Sequence, residues 1–220
     1  MERVNVEQNV LKENDRIAAE LREEFARRRI VCFNIIASPG AGKTSVLEHT
    51  LQAMAGGPLK VAVLTGDIQT ERDAERLARF GFPARQITTG GTCHLDASMI
   101  TRALENLSLD GIDLLFIENV GNLVCPAAYD LGEQSKIVML SVAEGDDKPL
   151  KYPSIFRRAR LLLLHKVDLL PYTKFDMQAA RDDARRVNPD IEIIETSCMR
   201  TPGLTAWLDW LRARLAERTA

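Results

Sequence analysis

Two kinds of hydrophobic pattern alternate along the chain. From residue 31 onward, mostly apolar runs of seven residues recur, separated by segments whose apolar positions follow helical spacing. Such continuous apolar runs indicate strands buried on both faces, which is typical of a parallel sheet. The predicted strands are VCFNIIA (31–37), KVAVLTG (60–66), IDLLFIE (112–118), KIVMLSV (136–142), ARLLLLH (159–165) and IEIIETS (191–197).

The amphipathic segments predict helices near 43–55, 71–80, 96–107, 174–187 and 203–217. An N-terminal helix is predicted over 10–29, where apolar side chains recur at helical spacing: Leu11, Ile17, Leu21 and Phe25. The pattern leaves open whether segment 1–29 packs on the domain or at a dimer interface. No repeat, low-complexity tract or linker interrupts 30–220, so we predict one doubly wound α/β domain there, with a mainly parallel sheet flanked by helices.

The composition excludes several classes of partner. The 220 residues are 45% hydrophobic and 27% charged, which is enough for one large core. A net charge of −2 gives no electrostatic reason to expect a nucleic acid or an anionic membrane as a partner. The N-terminus lacks the apolar core of an export signal, and no segment reaches membrane-spanning length. Because the four cysteines are scattered as well, we expect a reducing, cytoplasmic location.

A glycine-rich loop joins the first predicted strand to the helix that follows it. ASPGAGKTS (37–45) fits the phosphate-binding pattern G-x-x-x-x-G-K-[ST], except that Ala37 replaces the leading glycine. Alanine is tolerated there if its φ is negative. In such loops the backbone N–H groups surround phosphates, the lysine reaches the β/γ oxygens, and the hydroxyl ligates Mg²⁺. We therefore predict a nucleotide site formed by Gly40, Ala41, Gly42, Lys43, Thr44 and Ser45.

Two acidic residues at the ends of predicted strands are candidate Mg²⁺ ligands. Asp67 ends VAVLTGD and Glu118 ends LLFIE. ENVG (118–121) is similar to the D-x-x-G element of GTPases with Glu in place of Asp, and the Gly121 N–H could donate to the γ-phosphate. Either acid alone could equally be a solvated strand end. Together with Lys43 they are the predicted catalytic residues of a nucleoside triphosphate hydrolase.

A guanine-reading motif is predicted after the fifth of these strands. HKVD (165–168) is close to N-K-x-D, with His165 in place of the asparagine that braces neighbouring loops. Asp168 would accept hydrogen bonds from guanine N1–H and the 2-amino group, which adenine lacks, and the stem of Lys166 would cover the ring. TSC (196–198) would complete base binding through Ser197 and Cys198. The sequence thus favours GTP over ATP.

A cysteine and a histidine stand side by side in TTGGTCHLDA (88–97). Cys93 and His94 lie in a loop before the Glu118 strand, and Cys125 lies seven residues beyond Glu118. Two thiolates and one imidazole suit Zn²⁺ or Ni²⁺, although further ligands would be needed to complete the site. A redox disulfide, a nucleophilic pair and an uninvolved loop cysteine remain alternatives. Cys32 lies mid-strand and is expected in the core.

Six segments together resemble one known family, the hydrogenase nickel-incorporation GTPases, or HypB family. They are SPGAGKT, GDIQTERDAERL, TCHLDASMI, ENVGNLVCPAAYDLGE, EGDDKPLKYP and HKVDLLPY, and the similarity spans nearly all of the chain from residue 31. The related urease nickel-delivery GTPases carry Cys-Pro-His instead of Cys-His-Leu-Asp-Ala. The resemblance implies a P-loop NTPase fold of the SIMIBI GTPase type.

The resemblance also implies a biochemical cycle. Members bind GTP and GDP with Mg²⁺, hydrolyse GTP slowly and form homodimers that depend on nucleotide and metal. The nickel or zinc site would fall on Cys93, His94 and Cys125, with ligands shared between subunits, and Lys151 would reach the partner's nucleotide. Many members carry a Cys-rich or His-rich nickel segment near the N-terminus. Residues 1–31 contain neither amino acid, so we expect only the GTPase-domain site here.

These observations predict a GTP-hydrolysing metallochaperone that delivers nickel to an apo-[NiFe]-hydrogenase. The implied partners are the hydrogenase large subunit and a small zinc-binding hydrogenase-maturation protein. One alternative is a GTPase of the same chemistry that serves urease or a cobalamin enzyme. Another is a scaffold dimer that binds GTP without hydrolysing it.

Overall fold

Seven parallel strands form the central sheet of this computed structural model, which describes residues 6–67, 72–199 and 203–217. The strand order is β3-β2-β4-β1-β5-β6-β7. The strands are β1 (Val31–Ala37), β2 (Val61–Asp67), β3 (Ala84–Thr88), β4 (Leu114–Gly121), β5 (Ser135–Ser141), β6 (Ala159–His165) and β7 (Glu192–Thr196). Parallel strands present their carboxyl ends at one edge, which is where doubly wound proteins bind ligands.

The six strands predicted from apolar runs are all present, with bounds shifted by up to three residues. β4 continues past Glu118 to Gly121, where it pairs with the end of β1 across a register shift. The strand that the sequence pattern missed is β3. It lies at the edge of the sheet and is half exposed, so its sequence, ARQIT, is polar at most positions.

Eight α-helices cover the two faces of the sheet within the described residues. They are α1 (Val6–Arg27), α2 (Lys43–Met54), α3 (Arg72–Ala78), α4 (Ala97–Leu104), α5 (Lys148–Lys151), α6 (Pro153–Arg158), α7 (Met177–Val187) and α8 (Thr205–Glu217). All six predicted helices are present. The predicted start of α3 at residue 71 lies outside the described residues, and the short helices α5 and α6 were not predicted. None of the helices is both long and apolar enough to cross a membrane.

The N-terminal helix α1 packs on the domain of its own chain. Ala18, Leu21 and Phe25 are buried in one cluster with the sheet residues Leu115 and Ile117. Burying a large apolar side chain in this way contributes roughly 1.5–3 kcal/mol relative to exposure. The amphipathic pattern of the segment is therefore explained by packing on the sheet.

The same helix contacts the loop between β4 and β5. Gly132 has a φ of 80°, and a Cβ added there would lie 2.6 Å from the Cβ of Leu21, so only glycine allows this approach. Arg22 forms an ion pair with Asp130 of that loop. Asn14, which is buried, donates from Nδ2 to the Asp130 carbonyl at 2.9 Å. α1 thus helps to hold the loop that begins near Cys125.

Aromatic side chains fill the opposite face, under α2 and α8. Trp207 and Trp210 stack with ring centroids 5.7 Å apart, and Trp207 donates from Nε1 to the Thr50 hydroxyl at 2.9 Å. Phe33 and Phe116 complete this cluster from β1 and β4. Cys32, as expected, is buried in the core. This packing fixes α2, and with it the loop that precedes α2, against the sheet.

Candidate functional site

The loop between β1 and α2 has the conformation of a phosphate-binding loop. Gly40 and Gly42 have φ values of 72° and 107°, which are left-handed and favour glycine. A Cβ on Gly42 would also lie 2.8 Å from the imidazole of His165. Ala37 is buried at the end of β1 and is not among the described residues with a positive φ. The departure from the motif at Ala37 is therefore accommodated without strain.

A cavity of about 750 Å³ opens above this loop at the carboxyl edge of the sheet. Its volume lies within the usual range for small-molecule sites. Most of the residues predicted to bind nucleotide line it: Gly40, Gly42, Lys43, Thr44, Ser45, Asp67, Glu118, Gly121, Lys166, Asp168 and Cys198. Ala41 is buried beneath the loop, and Ser197 contacts the cavity residue Asp168. One cavity thus gathers predicted residues from five separate segments of the chain.

The centre of the cavity holds a buried lysine, a hydroxyl and a carboxylate. The Thr44 hydroxyl donates to Glu118 Oε1 at 2.7 Å, whereas Glu118 Oε2 is buried and has no hydrogen-bond partner. Burial raises the pKa of Glu118 to about 7, which outweighs the opposing effects of Lys43 and of the Thr44 hydrogen bond. Burial likewise lowers the pKa of Lys43. A cation next to Glu118 would satisfy its second oxygen, so the donor set fits Mg²⁺.

Two charged cavity residues were missed by the sequence reasoning. Asp73 and Arg76 lie on α3, and Arg76 is fixed by Glu48 at 2.6 and 3.0 Å and by Asp73 at 3.1 Å. Both residues lie within GDIQTERDAERL, one of the segments that carried the family resemblance. A signal was therefore present, but helical spacing alone did not distinguish these charges from solvent-exposed ones.

Gly121, at the end of β4, packs against the phosphate-binding loop. A Cβ there would lie 2.8 to 2.9 Å from Pro39, including its backbone nitrogen. Because backbone cannot yield as a flexible side chain does, glycine is required for β4 and the loop to approach this closely. The structure therefore places Gly121 where the phosphate loop borders the cavity.

The end of the cavity where the sequence predicts base binding is built from two loops that hydrogen-bond to each other. Ser197 donates to Asp168 Oδ1 at 2.5 Å. Lys166 has a φ of 62° and donates from Nζ to the Gly40 carbonyl at 2.7 Å, which joins the base motif to the phosphate loop. Asp168 is half-buried and lines the cavity.

His165 braces this junction in the place of the expected asparagine. Its Nδ1 is hydrogen-bonded to the Thr196 hydroxyl at 2.9 Å, and its ring packs against Gly42. Burial, with a further contribution from Lys166, lowers the pKa of His165 to about 4. The ring is consequently neutral at physiological pH. An imidazole thus contacts both loops that the asparagine of the motif would be expected to contact.

Lys151 is absent from the lining of this cavity among the described residues. It lies on α5, is largely exposed, and forms an ion pair with Asp147 at 2.6 Å. The Asp147 carboxylate raises the pKa of Lys151. Its predicted contact with a nucleotide in a partner subunit stays a prediction.

The predicted metal ligands come together although they belong to two loops. Cys93 Sγ lies 2.8 Å from Cys125 Sγ and 4.0 Å from His94 Nδ1. One ligand atom from each residue lies within 4.8 Å of the other two, and all four cysteines of the chain are free thiols. Two sulfurs and one imidazole nitrogen suit Zn²⁺ or Ni²⁺, and the exposure of Cys93 leaves room for another ligand.

The environment of these ligands affects their protonation. The hydrogen bond that the Cys93 thiol donates to Cys125 raises the pKa of Cys93, because it stabilises the protonated form, and burial and the charge of a Cys125 thiolate act in the same direction. Metal binding would therefore release protons. Burial lowers the pKa of His94, whose ring stacks on Tyr129 with centroids 3.9 Å apart. A neutral, stacked imidazole is suited to coordinate a metal ion.

Residues 31–195 match the CobW/HypB/UreG nucleotide-binding domain. A protein from Azotobacter chroococcum mcd 1, called hydrogenase maturation factor HypB, is 51% identical over 98% of this chain and 70% of its own length. The crystal structure of HypB from Helicobacter pylori in complex with nickel superposes with a TM-score of 0.88 at 40% identity, covering 93% and 96% of the two chains.

A more distant structure shares the fold alone. The signal recognition particle receptor FtsY from Elizabethkingia anophelis, in complex with GDP, has a TM-score of 0.52 at 13% identity, over 83% of this chain and 64% of that one. This similarity agrees with a P-loop NTPase fold built on a parallel sheet, as predicted from the sequence.

Proposed function

Since the chain belongs to the HypB family of hydrogenase maturation factors, within the CobW/HypB/UreG nucleotide-binding domains, we propose that it is a GTP-hydrolysing nickel metallochaperone. It would assist nickel insertion into an apo-[NiFe]-hydrogenase in the cytoplasm. The observation that carries this proposal is the Cys93–His94–Cys125 cluster, formed by the loop after β3 and the loop after β4, the second of which continues from a strand that lines the nucleotide cavity. The nickel complex of the Helicobacter pylori protein supports nickel as the cargo.

Nucleotide binding would begin with the phosphates. The backbone N–H groups of the loop containing Gly40 and Gly42, together with the N-terminus of α2, provide a positive concavity for them. Lys43 is held inside the cavity by burial and would place its ammonium group against the β/γ oxygens. Asp168 would select guanine by accepting from N1–H and the 2-amino group. The substrate class is thus a guanosine triphosphate.

Hydrolysis would proceed by attack of water on the γ-phosphorus, breaking its bond to the β,γ-bridging oxygen and releasing GDP and phosphate. Thr44, Glu118 and Asp67 are the residues that would hold Mg²⁺, which when bound neutralises charge on the phosphates. Lys43 and the loop N–H groups would stabilise the charge that develops on the transferred group. Glu118 or Asp67 would orient the attacking water, and Gly121 would donate its N–H to the γ-phosphate.

Metal transfer would depend on the two loops that carry the metal ligands. The loop carrying Cys125 begins where β4 ends at Gly121, and the loop carrying Cys93 and His94 follows β3. Exchange of GTP for GDP would relax these loops and weaken the nickel site. A homodimer dependent on GTP and metal, with ligands shared between subunits and Lys151 reaching the partner's nucleotide, belongs to this proposal. The expected clients are a hydrogenase large subunit and a small zinc-binding maturation protein.

The test measures nickel affinity and phosphate release on the same protein. Cys93→Ala and Cys125→Ala should each weaken Ni²⁺ binding at least about tenfold, because each removes one of few strong ligands. Cys32→Ala is the matched control, since that thiol is buried in the core and should leave nickel binding unchanged. In the unsubstituted protein, nickel affinity should differ between GDP and a non-hydrolysable GTP analogue.

Three results would contradict the proposal. Nickel binding that is indifferent to both cysteine substitutions would place the cargo elsewhere. Nickel affinity that is the same with GDP and with the GTP analogue would remove the coupling. An absence of phosphate release, in a protein whose Asp67→Ala variant behaves identically, would favour a GTP-binding scaffold.

A further inference from the structure

Consecutive residues on β4 face the two functional sites. Side chains of a strand alternate between the faces of the sheet. Glu118 points towards Thr44 and the nucleotide cavity, whereas the next residue, Asn119, points towards the loop that carries His94. Asn119 is only 1% exposed and also borders the nucleotide cavity, but its side-chain amide is already hydrogen-bonded to Leu95, Val120 and Asn34.

The side-chain amide of Asn119 is hydrogen-bonded to the loop that carries Cys93 and His94. Its Oδ1 accepts from the backbone N–H of Leu95 at 3.3 Å and from its neighbour Val120 at 3.0 Å. Leu95 follows His94 directly and is fully buried. Any movement of Asn119 would therefore act on the backbone next to a metal ligand.

The same amide also begins a series of buried polar contacts. These contacts reach the other loop of the cluster, which carries Cys125. Asn119 donates from Nδ2 to Asn34 Oδ1 at 3.2 Å, and Asn34 donates from Nδ2 to Glu133 Oε1 at 3.2 Å. Glu133 pairs with Lys136, whose Nζ donates to the Tyr129 carbonyl at 2.7 Å. The Tyr129 ring stacks on His94, so the contacts return to the metal site.

The side chains in this series of polar contacts are rigidly held, because their hydrogen-bonding groups have partners. Asn34, Glu133 and Lys136 are all buried, and Glu133 also accepts from the Leu131 N–H at 2.6 Å. Buried polar networks of this kind have few alternative arrangements, because every displaced group would lose its partner. A displacement of β4 at residue 119 would consequently act on both loops.

We propose that Asn119 is the positioning residue that couples nucleotide state at Glu118 to the geometry of the Cys93–His94–Cys125 site. This inference rests on the proposed function, since it assumes that the nucleotide and the metal bind where described. When the contacts of Glu118 change between the GTP and GDP states, the next residue of the same strand shifts the Leu95 backbone and the series of buried polar contacts. Nickel affinity then follows the nucleotide.

The experiment measures Ni²⁺ affinity by competition with a chelator, in the full chain, with Mg²⁺ and either GDP or a non-hydrolysable GTP analogue. The ratio of the two dissociation constants is the coupling factor, which for coupled sites is typically about 5 to 150. Asn119→Ala should bring this ratio to within about twofold of one, while GTP affinity stays within about threefold. The Ni²⁺–thiolate absorption band should also become the same in both nucleotide states.

A buried asparagine elsewhere in the molecule provides a matched control. Asn14 on α1 accepts from the Ala97 N–H at 2.9 Å and donates to the Asp130 carbonyl, so it also joins the two metal-binding segments. It has no contact with β4 among its hydrogen bonds in the described chain. Asn14→Ala should therefore weaken nickel binding equally in both nucleotide states and leave the ratio unchanged.

A conservative variant keeps the test informative if Asn119→Ala does not fold. Asn119→Asp retains an oxygen for the Leu95 N–H but cannot donate to Asn34, so it should lower the coupling ratio while keeping nickel bound. If either folded Asn119 variant retains the parent ratio, the inference is wrong although the metallochaperone function stands. If the parent itself shows no nucleotide dependence, the coupling role is also wrong. If the parent binds no nickel through Cys93, the proposed function fails first.

Discussion

The hydroxyl of Thr44 donates a hydrogen bond to Oε1 of Glu118, 2.7 Å away, across 74 positions of sequence. Both residues are candidate ligands of the same ion, and here they bind each other. The contact satisfies one carboxylate oxygen and leaves the other buried without a partner. The strand and the phosphate loop are therefore already placed around a cation site, and with a pKa of about 7 the Glu118 carboxyl group is partly protonated at neutral pH.

Binding of Mg²⁺–GTP should consequently depend on the protonation of Glu118. Because burial raises the pKa of this residue to about 7, a proton must leave before its carboxylate can hold a cation. Affinity should rise by about tenfold per pH unit below this pKa and level off above it. Calorimetric titration between about pH 5.5 and 8.5 in buffers of different ionisation enthalpy would measure both the slope and the proton released.

Glu118→Gln provides the control for that pH dependence. The γ-phosphate also titrates near neutrality, but it does so equally with the parent and the variant. Subtracting the pH dependence of affinity of the variant from that of the parent leaves the contribution of the Glu118 carboxyl group. Equal slopes in the two proteins would show that Glu118 does not titrate on binding.

Replacement of Asp168 should change base selectivity. The carboxylate of Asp168 accepts from Ser197 and would accept from guanine N1–H and the 2-amino group. Asp168→Asn presents an N–H to those donors, so GTP affinity should fall about 100-fold, in keeping with two charge-assisted hydrogen bonds. Xanthosine triphosphate, whose 2-oxo group is an acceptor, should bind better to the variant than to the parent. Asp190→Asn, in the turn before β7, should change neither affinity.

The ring of Tyr129 should contribute to metal affinity without being a ligand. It stacks on His94 at 3.9 Å with an interplanar angle of 21° and so fixes the imidazole. Tyr129→Ala should weaken Ni²⁺ binding about two- to tenfold, the equivalent of one aromatic contact, whereas Tyr129→Phe should stay within about twofold. Both variants keep the backbone carbonyl that accepts from Lys136. Equal losses in the two variants would assign the effect to the hydroxyl.

His165 should make the folded state sensitive to acid. Its folded pKa of about 4 lies below its ordinary value of 6.5, so the unfolded chain binds the proton more readily. Stability is therefore lost as pH falls from 6.5 towards 4, by about 2 kcal/mol between about pH 7.5 and 5. Glu118 acts in the opposite direction, so the measurement is the difference in urea unfolding between the parent and His165→Asn.

Between about pH 7.5 and 5, the His165→Asn variant should lose about 2 kcal/mol less stability than the parent. His49→Asn, on the exposed side of α2, is the control and should follow the parent. If His165→Asn also follows the parent, the buried imidazole is not the group that titrates.

The local sequence pattern was sufficient to predict most of the fold, because strands that are buried on both faces of a sheet consist of apolar runs. Each of the six apolar runs became a strand of the parallel sheet, and each amphipathic segment became a helix. β3 could not be predicted in this way, since an edge strand is half exposed and ARQIT has no apolar run. The helices α5 and α6 are too short, at four and six residues, for a helical period to be visible.

The candidate site, like the fold, could be predicted from the sequence only in part. The phosphate loop, the base motif and the three metal-ligand candidates are visible as residue types at fixed spacing, because phosphate, guanine and soft metal ions each demand particular groups. The sequence alone left open whether Cys93 meets Cys125, and whether the N-terminal segment packs on its own domain. Tertiary structure decided both, since the 2.8 Å between the sulfurs depends on two loops joined by long-range packing.

Sequence by itself thus determined the fold class, the nucleotide chemistry and the candidate ligands of this protein, since each is encoded by local periodicity or by a contiguous motif. Only the tertiary structure decided that Tyr129 stacks on His94, that burial raises the pKa of Glu118, and that Asn119 accepts a hydrogen bond from the Leu95 N–H beside His94. These properties depend on which distant segments become neighbours and on how completely water is excluded. No spacing within the chain specifies either.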